Sequence, residues 1–294
     1  MSRLNEVREP LERFRNAFAD NLPDEDRMDF FVDRVTPEGR TYLRAETYAT
    51  PKLSRLVMEE YLIGGRMRGT VIMAFGQPTS EQPIFFYQLG GVGDRSIAVL
   101  DISPVTADLD LSVLAPVHAH YAEALGLTET ATGWLQTICS PYLLHCNYAE
   151  LDEELFIEAM TAYLDVWMTH FHGAEMPTGS DARTEQVTNA LYKFKFQLHH
   201  HDPAYGFFAR SWGKPAADAF IDIECGDHPA YLPPVSLDEH VKVWHNDELN
   251  VVWTEAAQQV VEAAPDASTR REQVETAAAK AGFGIVTADL LDRF

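Results

Sequence analysis

Acidic residues close to the ends of predicted elements are the side chains of this sequence that are best suited to chemistry. Asp101 ends the apolar run SIAVL and precedes Ile102-Ser103-Pro104. A carboxylate that closes an apolar strand lies at the surface of a sheet, where burial raises its pKa and suits it to proton transfer. The same position also suits a strand-end cap. The residue types alone leave both interpretations open.

A second cluster is the run His199-His200-His201-Asp202-Pro203. Consecutive residues of a helix point about 100° apart, whereas metal-ligand pairs on a helix prefer a spacing of three or four residues. No Glu or Cys stands at such a spacing nearby. The pattern therefore favours exposed histidines at a helix end, where a positive charge suits the helix dipole. Asp202 before Pro203 is typical of a cap or turn.

Two further motifs have simple structural interpretations. His118 and His120 are two residues apart, so a helix sends them to different faces, and a structural or surface role is favoured. The run Gly90-Gly91-Val92-Gly93 lacks the spacing of a dinucleotide-binding loop and precedes a strand. It predicts a hairpin turn.

The elements that must position these residues follow from apolar periodicity and turn signals. A helix is predicted at 5–19, and a hairpin at 28–47 around Thr36-Pro37-Glu38-Gly39. Residues 53–61 are interpreted as a helix or an extended bridge. Short loops between the β-rich runs at 70–75, 83–89 and 96–102 favour an antiparallel meander. Helices are predicted at 113–125, 153–171 and 184–201. This order predicts an α+β fold, with helices covering a mostly antiparallel sheet.

Bulk composition narrows the classes of function. The 294 residues are 46% hydrophobic, and the formal net charge is -22. Such a surface repels nucleic acid and anionic membranes. Three scattered cysteines argue against a disulfide framework or an iron–sulfur cluster. Without a visible signal peptide or a long apolar stretch, the chain is expected to be soluble and cytoplasmic.

The predicted organisation is one α/β/α domain at 1–221, followed by a C-terminal helical arm or extension at 222–294. After Asp222 the sequence becomes punctuated by proline, and two short alanine-rich helical patterns follow. No function is predicted for this second part.

Five segments in order resemble the ferredoxin-dependent bilin reductases and, more distantly, the red chlorophyll catabolite reductases. They are YATPKL at 48–53, IMAFGQPTSEQPIF at 72–85, AVLDISPVT at 98–106, ICSPYLLHCNYAELDEELF at 138–156 and HHHDPAYGFFARSWG at 199–213. The resemblance implies an α/β/α sandwich, with an antiparallel sheet and helices on both faces. It also implies a bilin, such as biliverdin, held between the sheet and the C-terminal helices.

The resemblance further implies an oxidoreductase with no bound flavin, nicotinamide or metal. Reduced ferredoxin would deliver electrons one at a time, and carboxylic acids would protonate the tetrapyrrole radical. On this basis Asp101 approaches the bilin from the sheet, and Asp202 approaches it from the helical side. Both are implied to be proton donors.

The sequence departs from the family pattern at positions that would contact the bilin. Gln77 stands where several biliverdin reducers carry a glutamate, and Gln88 stands near a position that often holds a histidine or an acid. Asn147 replaces an arginine that usually grips a propionate, and Pro203 replaces a basic residue. These departures put the identity of the substrate in doubt, since charged hydrogen bonds to propionates are strong.

The remaining residues with a predicted contact to the substrate lie near the end of the matched region. Arg210 is a possible substitute for the missing propionate contacts, and His201 would lie beside Asp202 at the site. Docking of an acidic ferredoxin would need a local basic patch on this acidic chain. The basic residues that offer one are Lys52, Arg55, Arg66, Arg68, Lys193, Lys195 and Lys214. Scattered solvated charges are the alternative interpretation.

Two other functions stay open at this point. The scaffold is also compatible with a reductase of a smaller, non-bilin substrate, because the propionate anchors are missing. It is equally compatible with a non-catalytic pigment-binding protein, in which neither aspartate would matter for activity.

Overall fold

A computed structural model describes residues 3–18, 30–36, 39–63, 67–92, 95–127 and 135–201, together with residues 208, 209, 217, 221 and 224. Four α-helices and seven β-strands are present among these residues. In chain order they are α1 Arg3–Ala17, β1 Phe30–Thr36, β2 Gly39–Tyr48, β3 Leu53–Ile63, β4 Met67–Gly76, β5 Ile84–Val92, β6 Arg95–Ser103, α2 Ala115–Ala124, β7 Leu144–Ala149, α3 Glu153–Trp167 and α4 Asp181–His201.

The seven strands form one antiparallel sheet whose spatial order is the order of the sequence. Short connections produce this order, because an antiparallel neighbour can follow directly through a hairpin whereas a parallel one needs a long crossover. The predicted hairpin at 28–47 and the predicted meander of three strands are confirmed. Gly90, Gly91 and Val92 of the glycine run form the end of β5 and pair with the start of β6, which agrees with the predicted hairpin, and Gly93 lies outside the described residues.

Helices cover both faces of the sheet, which confirms the predicted α/β/α sandwich. On the first face, which we call the α3 face, Phe85, Tyr87 and Leu100 pack in one core with α1 and α3. On the opposite face, which we call the α4 face, Phe86 and Val99 pack in a second core with α4. Consecutive buried residues of β4, β5 and β6 alternate between these two cores, as the pleat requires.

Two strands differ from the sequence-based predictions. Residues 53–61 were interpreted as a helix or an extended bridge, but β3 is a central strand that pairs with β2 and β4. The sequence of β3 lacks the alternation of apolar and polar residues that is typical of a strand, because both of its faces are covered. Buried Glu59 and Glu60 also interrupt its apolar run. The strand β7 was not predicted. Its six residues, LHCNYA, are too short and too mixed in polarity to give a clear signal.

The helices largely match their predictions. Asp152 caps α3, because its Oδ1 accepts a hydrogen bond from the Leu155 amide at 3.0 Å. The predicted helix at 153–171 continues past α3 as a single π-helical turn, Met168–His172. Gly179 has a φ of 71°, which favours glycine in the turn that leads into α4. The predicted extension at 222–294 falls outside the described residues except for Glu224.

None of the described helices combines the length and the apolar character that crossing a membrane requires.

Candidate functional site

Asp101 lies near the end of β6 with its side chain on the α4 face. It is the pairing partner of Phe86 and follows Val99 by two residues, and both of these belong to the core beneath α4. Its side chain is 0% exposed. The structure thus places the carboxyl beneath a helical layer, which is the environment that a buried proton donor requires.

Three hydrogen bonds hold the Asp101 carboxyl in place. The Ser140 hydroxyl donates to Oδ1 at 2.5 Å, and the Ser140 amide donates to Oδ2 at 2.9 Å. The Ser103 hydroxyl also donates to Oδ2, at 2.5 Å. Burial raises the pKa of Asp101, although the hydrogen bonds from Ser103 and Ser140 oppose the effect. The prediction that burial raises this pKa is therefore confirmed.

Cys139 lies beside the same carboxyl and completes its immediate surroundings. Burial raises the pKa of its thiol well above the ordinary value, and the negative charge of Asp101 raises it further. The thiol therefore stays protonated at neutral pH, which makes it a poor nucleophile. Burial and the Asp101 charge also raise the pKa of Tyr163, whose hydroxyl donates to the Tyr142 carbonyl at 2.7 Å.

A row of polar residues crosses the α4 face next to Asp101. Strand pairing aligns Val71 with Gln88, Gln88 with Val99, and Val99 with His145. Gln88 is half-buried, and His145 is 6% exposed. The sequence indicated Gln88 as a residue that lines the site, and the structure places it on the same face as Asp101. His145 went unnoticed because β7 itself was not predicted.

The same row continues on the other side to a buried glutamate. Glu59 pairs with Val71 across the β3–β4 ladder and with Ala45 across the β2–β3 ladder. It is 0% exposed, and Val57, two residues away on its face, belongs to the core beneath α4. Sequence reasoning missed Glu59 because only the strand register shows which of Glu59 and Glu60 faces α4.

The two other polar residues predicted near the substrate have different surroundings. Gln77 directly follows β4, and its Nε2 donates to the Thr50 carbonyl at 3.2 Å. This hydrogen bond ties Gln77 to the loop before β3. Asn147 pairs with Ile97 and is exposed. Asn147 therefore lies on the α4 face at the rim of the sheet, two residues from His145.

Three predicted site residues cannot be placed relative to Asp101. Asp202 and Arg210 lie outside the described residues, and His201 is described only by its backbone at the end of α4. Their predicted roles stay predictions. Among the described residues, no group of three His, Cys, Asp or Glu side chains is arranged to hold a metal ion.

An aromatic cluster joins α4 to the sheet beside Asp101. The Phe194 ring forms T-shaped contacts with Phe75 and Phe86, and the ring centroids are 5.8 and 5.4 Å from its own. Lys195 places its Nζ 4.8 Å from the centre of the Phe75 ring. Phe208 packs edge to face on Tyr61 at 5.3 Å, so residues beyond α4 also cover this face.

The basic residues considered for ferredoxin docking do not all lie on one side of the sheet. Arg68 pairs with Glu153 at 2.5 Å, on the side of the sheet that α3 covers. Lys195 is buried on the α4 face, whereas Lys193 and Lys52 are exposed. Arg68 and Lys195 thus lie on opposite sides of the sheet, which favours scattered charges for these two residues. Docking of ferredoxin on a basic patch formed by the other residues stays a prediction. Arg66 and Lys214 lie outside the described residues.

A separate cavity of about 240 Å³ lies on the α3 face, between α1 and the sheet. Buried Glu46 is its central group, paired with Arg15 and Arg44 and bonded to the Tyr48 hydroxyl at 2.7 Å. Glu60 also lines this cavity. The sheet separates this network from Asp101.

Comparison with known proteins gives two findings. A sequence model described as ferredoxin-dependent bilin reductase matches residues 22–223. Among solved structures, the chain is similar to a selenomethionine-labelled phytochromobilin synthase from tomato in complex with biliverdin, with a TM-score of 0.62 and 17% sequence identity. This similarity covers 78% of the chain and 88% of the synthase chain, and it shows a shared fold. Comparison with curated protein sequences gives no match.

Proposed function

The chain belongs to the ferredoxin-dependent bilin reductase family and is an oxidoreductase, and from this premise we propose that it reduces a linear tetrapyrrole with Asp101 as a proton donor. Reduced ferredoxin is the electron source in this proposal. Biliverdin is the first substrate to test, because the tomato synthase with a similar fold holds it.

The observation that carries the proposal is the buried carboxyl of Asp101 with its two hydroxyl partners. A carboxylic acid is useful as a proton donor when its pKa is close to the working pH, and burial shifts Asp101 in that direction. The Ser103 and Ser140 hydroxyls can donate to the carboxylate or rotate to accept from the acid. Both protonation states therefore keep satisfied hydrogen bonds without a movement of the backbone.

The proposed chemistry balances in single-electron steps. One ferredoxin reduces the bilin to a radical, and the O–H bond of Asp101 breaks as a bond from that proton to the bilin forms. A second ferredoxin supplies the second electron, and Asp202 supplies the second proton from the helical side. Net reduction of one double bond thus takes two electrons and two protons, and the carboxylates regain their protons from water.

The polar residues of the α4 face supply the contacts that orient the bilin in this proposal. Gln88 and His145 lie in one row next to Asp101, where amide and imidazole groups suit the pyrrole and lactam groups of a tetrapyrrole. Exposed Asn147 at the rim, together with Arg210, is assigned to the propionates. Gln77 is assigned to the far edge of the pocket.

The direct test is Asp101→Asn, which keeps the size of the side chain but removes its acid. Asparagine can accept from the Ser140 amide through its oxygen and donate to the Ser140 hydroxyl through its nitrogen, so the fold is expected to persist. General acid catalysis contributes about 10² to 10⁴ in rate. Anaerobic single-turnover absorbance measurements with reduced ferredoxin and biliverdin should show that the variant binds biliverdin normally. Its rate of biliverdin reduction should be lower by that factor.

Asp165→Asn is a matched control, because Asp165 is an exposed aspartate on α3. It should reduce biliverdin at the wild-type rate. If Asp101→Asn also does so, Asp101 is not the proton donor. If biliverdin binds in stoichiometric amounts but the wild type never reduces it, a pigment-binding role replaces the enzymatic one. If no bilin binds at all, the smaller-substrate alternative gains support.

A further inference from the structure

We propose that the Ser140 hydroxyl is the relay through which Asp101 regains a proton from water after each proton transfer to the bilin. The proposal rests on the proposed function for the role of Asp101 as a proton donor. For the relay itself, it rests on the hydrogen bonds of Ser140 and on the burial of the groups around the carboxyl.

The burial of Asp101 creates a need for such a relay. A carboxyl that has given its proton to a substrate must be protonated again before it can act in the next cycle. Asp101 is 0% exposed, and Ser103, which donates to Oδ2 at 2.5 Å, is also 0% exposed. Water therefore contacts neither the carboxyl nor the Ser103 hydroxyl, and another group has to carry the proton inward.

Ser140 lies between the carboxyl and the surface of the protein. Its hydroxyl donates to Oδ1 of Asp101 at 2.5 Å. Ser140 itself is 7% exposed, and the next residue, Pro141, is exposed, as are residues 136 and 137 of the same segment. The segment that holds the carboxyl thus runs along the surface, and the Ser140 hydroxyl reaches inward from it.

The Ser140 hydroxyl has the hydrogen-bonding capacity that a relay needs. A serine hydroxyl has one proton to donate and two lone pairs that accept. Its proton is directed at Oδ1 of Asp101, and one lone pair accepts a hydrogen bond from the Tyr142 amide at 3.0 Å. This amide holds the oxygen in position, and the second lone pair can accept a proton from water.

Cys139 is the other group that connects the carboxyl to the surface. It is half-buried and lies beside Asp101. A thiol is only a weak hydrogen-bond donor and acceptor. Proton transfer along a chain of groups instead requires short hydrogen bonds, such as the 2.5 Å bond from Ser140 to Oδ1. The geometry therefore favours the serine.

The proposed step conserves atoms and charge. The O–H bond of Ser140 breaks as its proton bonds to Oδ1 of the Asp101 carboxylate. The Ser140 oxygen takes a proton from a hydronium ion on its second lone pair, and a water molecule is released. One proton thus moves from solvent to Asp101, no electron is transferred, and Ser140 ends the step unchanged. The two protons of the bilin reduction still come from Asp101 and Asp202.

The rate at which Asp101 takes up a proton measures the relay without any bilin. After a rapid drop in pH, time-resolved infrared absorption of the bilin-free full chain should show the carboxylic acid band of Asp101 appear. Asp101→Asn identifies this band, because the variant lacks it. In Ser140→Ala the band should appear about tenfold or more slowly, because proton uptake then has to wait for local opening of the segment.

Ser103→Ala is the matched comparison for Ser140→Ala. Both serine hydroxyls donate to the Asp101 carboxyl at 2.5 Å, and both hydrogen bonds lower its pKa. The two variants should therefore shift this pKa in the same direction. Only Ser140 connects the carboxyl to the surface, so proton uptake in Ser103→Ala should stay about tenfold faster than in Ser140→Ala. Ser140→Thr keeps a hydroxyl and should restore rapid uptake.

Equal rates of proton uptake in Ser140→Ala and Ser103→Ala would overturn the proposal. Slow uptake in Cys139→Ala together with rapid uptake in Ser140→Ala would also overturn it, because the thiol would then be the route. If Ser140→Ala does not fold, Ser140→Cys takes its place, and it should be slower than Ser140→Thr. Failure of all three Ser140 variants to fold would make Ser140 a structural residue and would refute the proposal.

Turnover of biliverdin with reduced ferredoxin separates this proposal from the proposed function. The ratio of the steady-state rate to the rate of the first turnover should fall in Ser140→Ala, because only later cycles need a new proton on Asp101. If the wild type reduces biliverdin and this ratio is the same in Ser140→Ala, the relay is refuted and the proposed function stands. If the wild type does not reduce biliverdin, the proposed function fails, and the infrared rates alone decide whether Ser140 carries protons to Asp101.

Discussion

Replacing Ser140 by alanine tests how the protein controls the proton on Asp101. The substitution removes the hydroxyl that donates to Oδ1 at 2.5 Å, and it leaves the Ser140 amide on Oδ2. The substitution also removes the hydrogen bond that the Ser140 hydroxyl accepts from the Tyr142 amide at 3.0 Å. That bond joins neutral groups, so only the loss of the bond to Oδ1 depends on the charge of Asp101. Because this bond favours the charged form, its removal should raise the pKa of Asp101 further.

The size of the effect on stability depends on the charge of Asp101. A hydrogen bond to a charged group contributes about 1.5–3 kcal/mol, and one between neutral groups contributes about 0.5–1.5 kcal/mol. Ser140→Ala should thus lower the free energy of unfolding by about 1 kcal/mol more when Asp101 is ionised than when it is protonated. In the wild type, the raised pKa of Asp101 gives stability that is complete below the unfolded pKa and is lost as the pH rises through the folded pKa. The variant should enlarge the total loss of stability, because it moves the folded pKa of Asp101 further from the unfolded pKa.

Urea denaturation at a series of pH values, from below the ordinary carboxyl pKa of about 4 up to about 9, measures both effects. Ser54→Ala is the matched control, because the Ser54 hydroxyl donates to the neutral Gly76 carbonyl at 2.8 Å. The decrease in the free energy of unfolding caused by Ser54→Ala should be the same at every pH in the range over which Asp101 titrates. In an Asp101→Asn background, Ser140→Ala should lose its dependence on pH. A cost for Ser140→Ala that is equal at all pH values in the wild-type background would refute the reasoning.

Two further predictions concern the packing around the site. Phe194→Ala should lower the free energy of unfolding by about 3–5 kcal/mol, because Phe194 is 1% exposed and contacts Phe75 and Phe86. Lys193→Ala, at an exposed position of the same helix, is the control. If the urea midpoints of the two variants are close, the prediction is contradicted. His172 has its pKa lowered to about 4 by burial and by the Lys52 charge. The free energy of unfolding should therefore fall as the pH drops from about 6.5 through this value. Thermal unfolding of His172→Gln should show a smaller decrease over the same pH range. A pH dependence in His172→Gln equal to that of the wild type would count against the prediction.

Much of the fold was predictable from local patterns in the sequence. Strands β4, β5 and β6 alternate or run apolar between clear turn signals, and α3 begins at the Asp152 cap with apolar residues at helical spacing. Short loops then required antiparallel neighbours. The order of helices and strands then predicted a sheet covered by helices, whereas helices on both faces were implied by the family resemblance.

The sequence by itself determined the fold class, the family resemblance and Asp101 as a residue of interest. Only the tertiary structure decided which side chains share its face. Glu59 and Glu60 are adjacent and chemically identical, yet strand register sends one toward the α4 layer and the other toward Arg15 and Arg44. Ser140 and His145 likewise reach the site through the path of the chain around β7. Local patterns report the preferences of a segment, whereas contacts between distant segments depend on how the strands pair, and a shift of one residue would exchange the two faces.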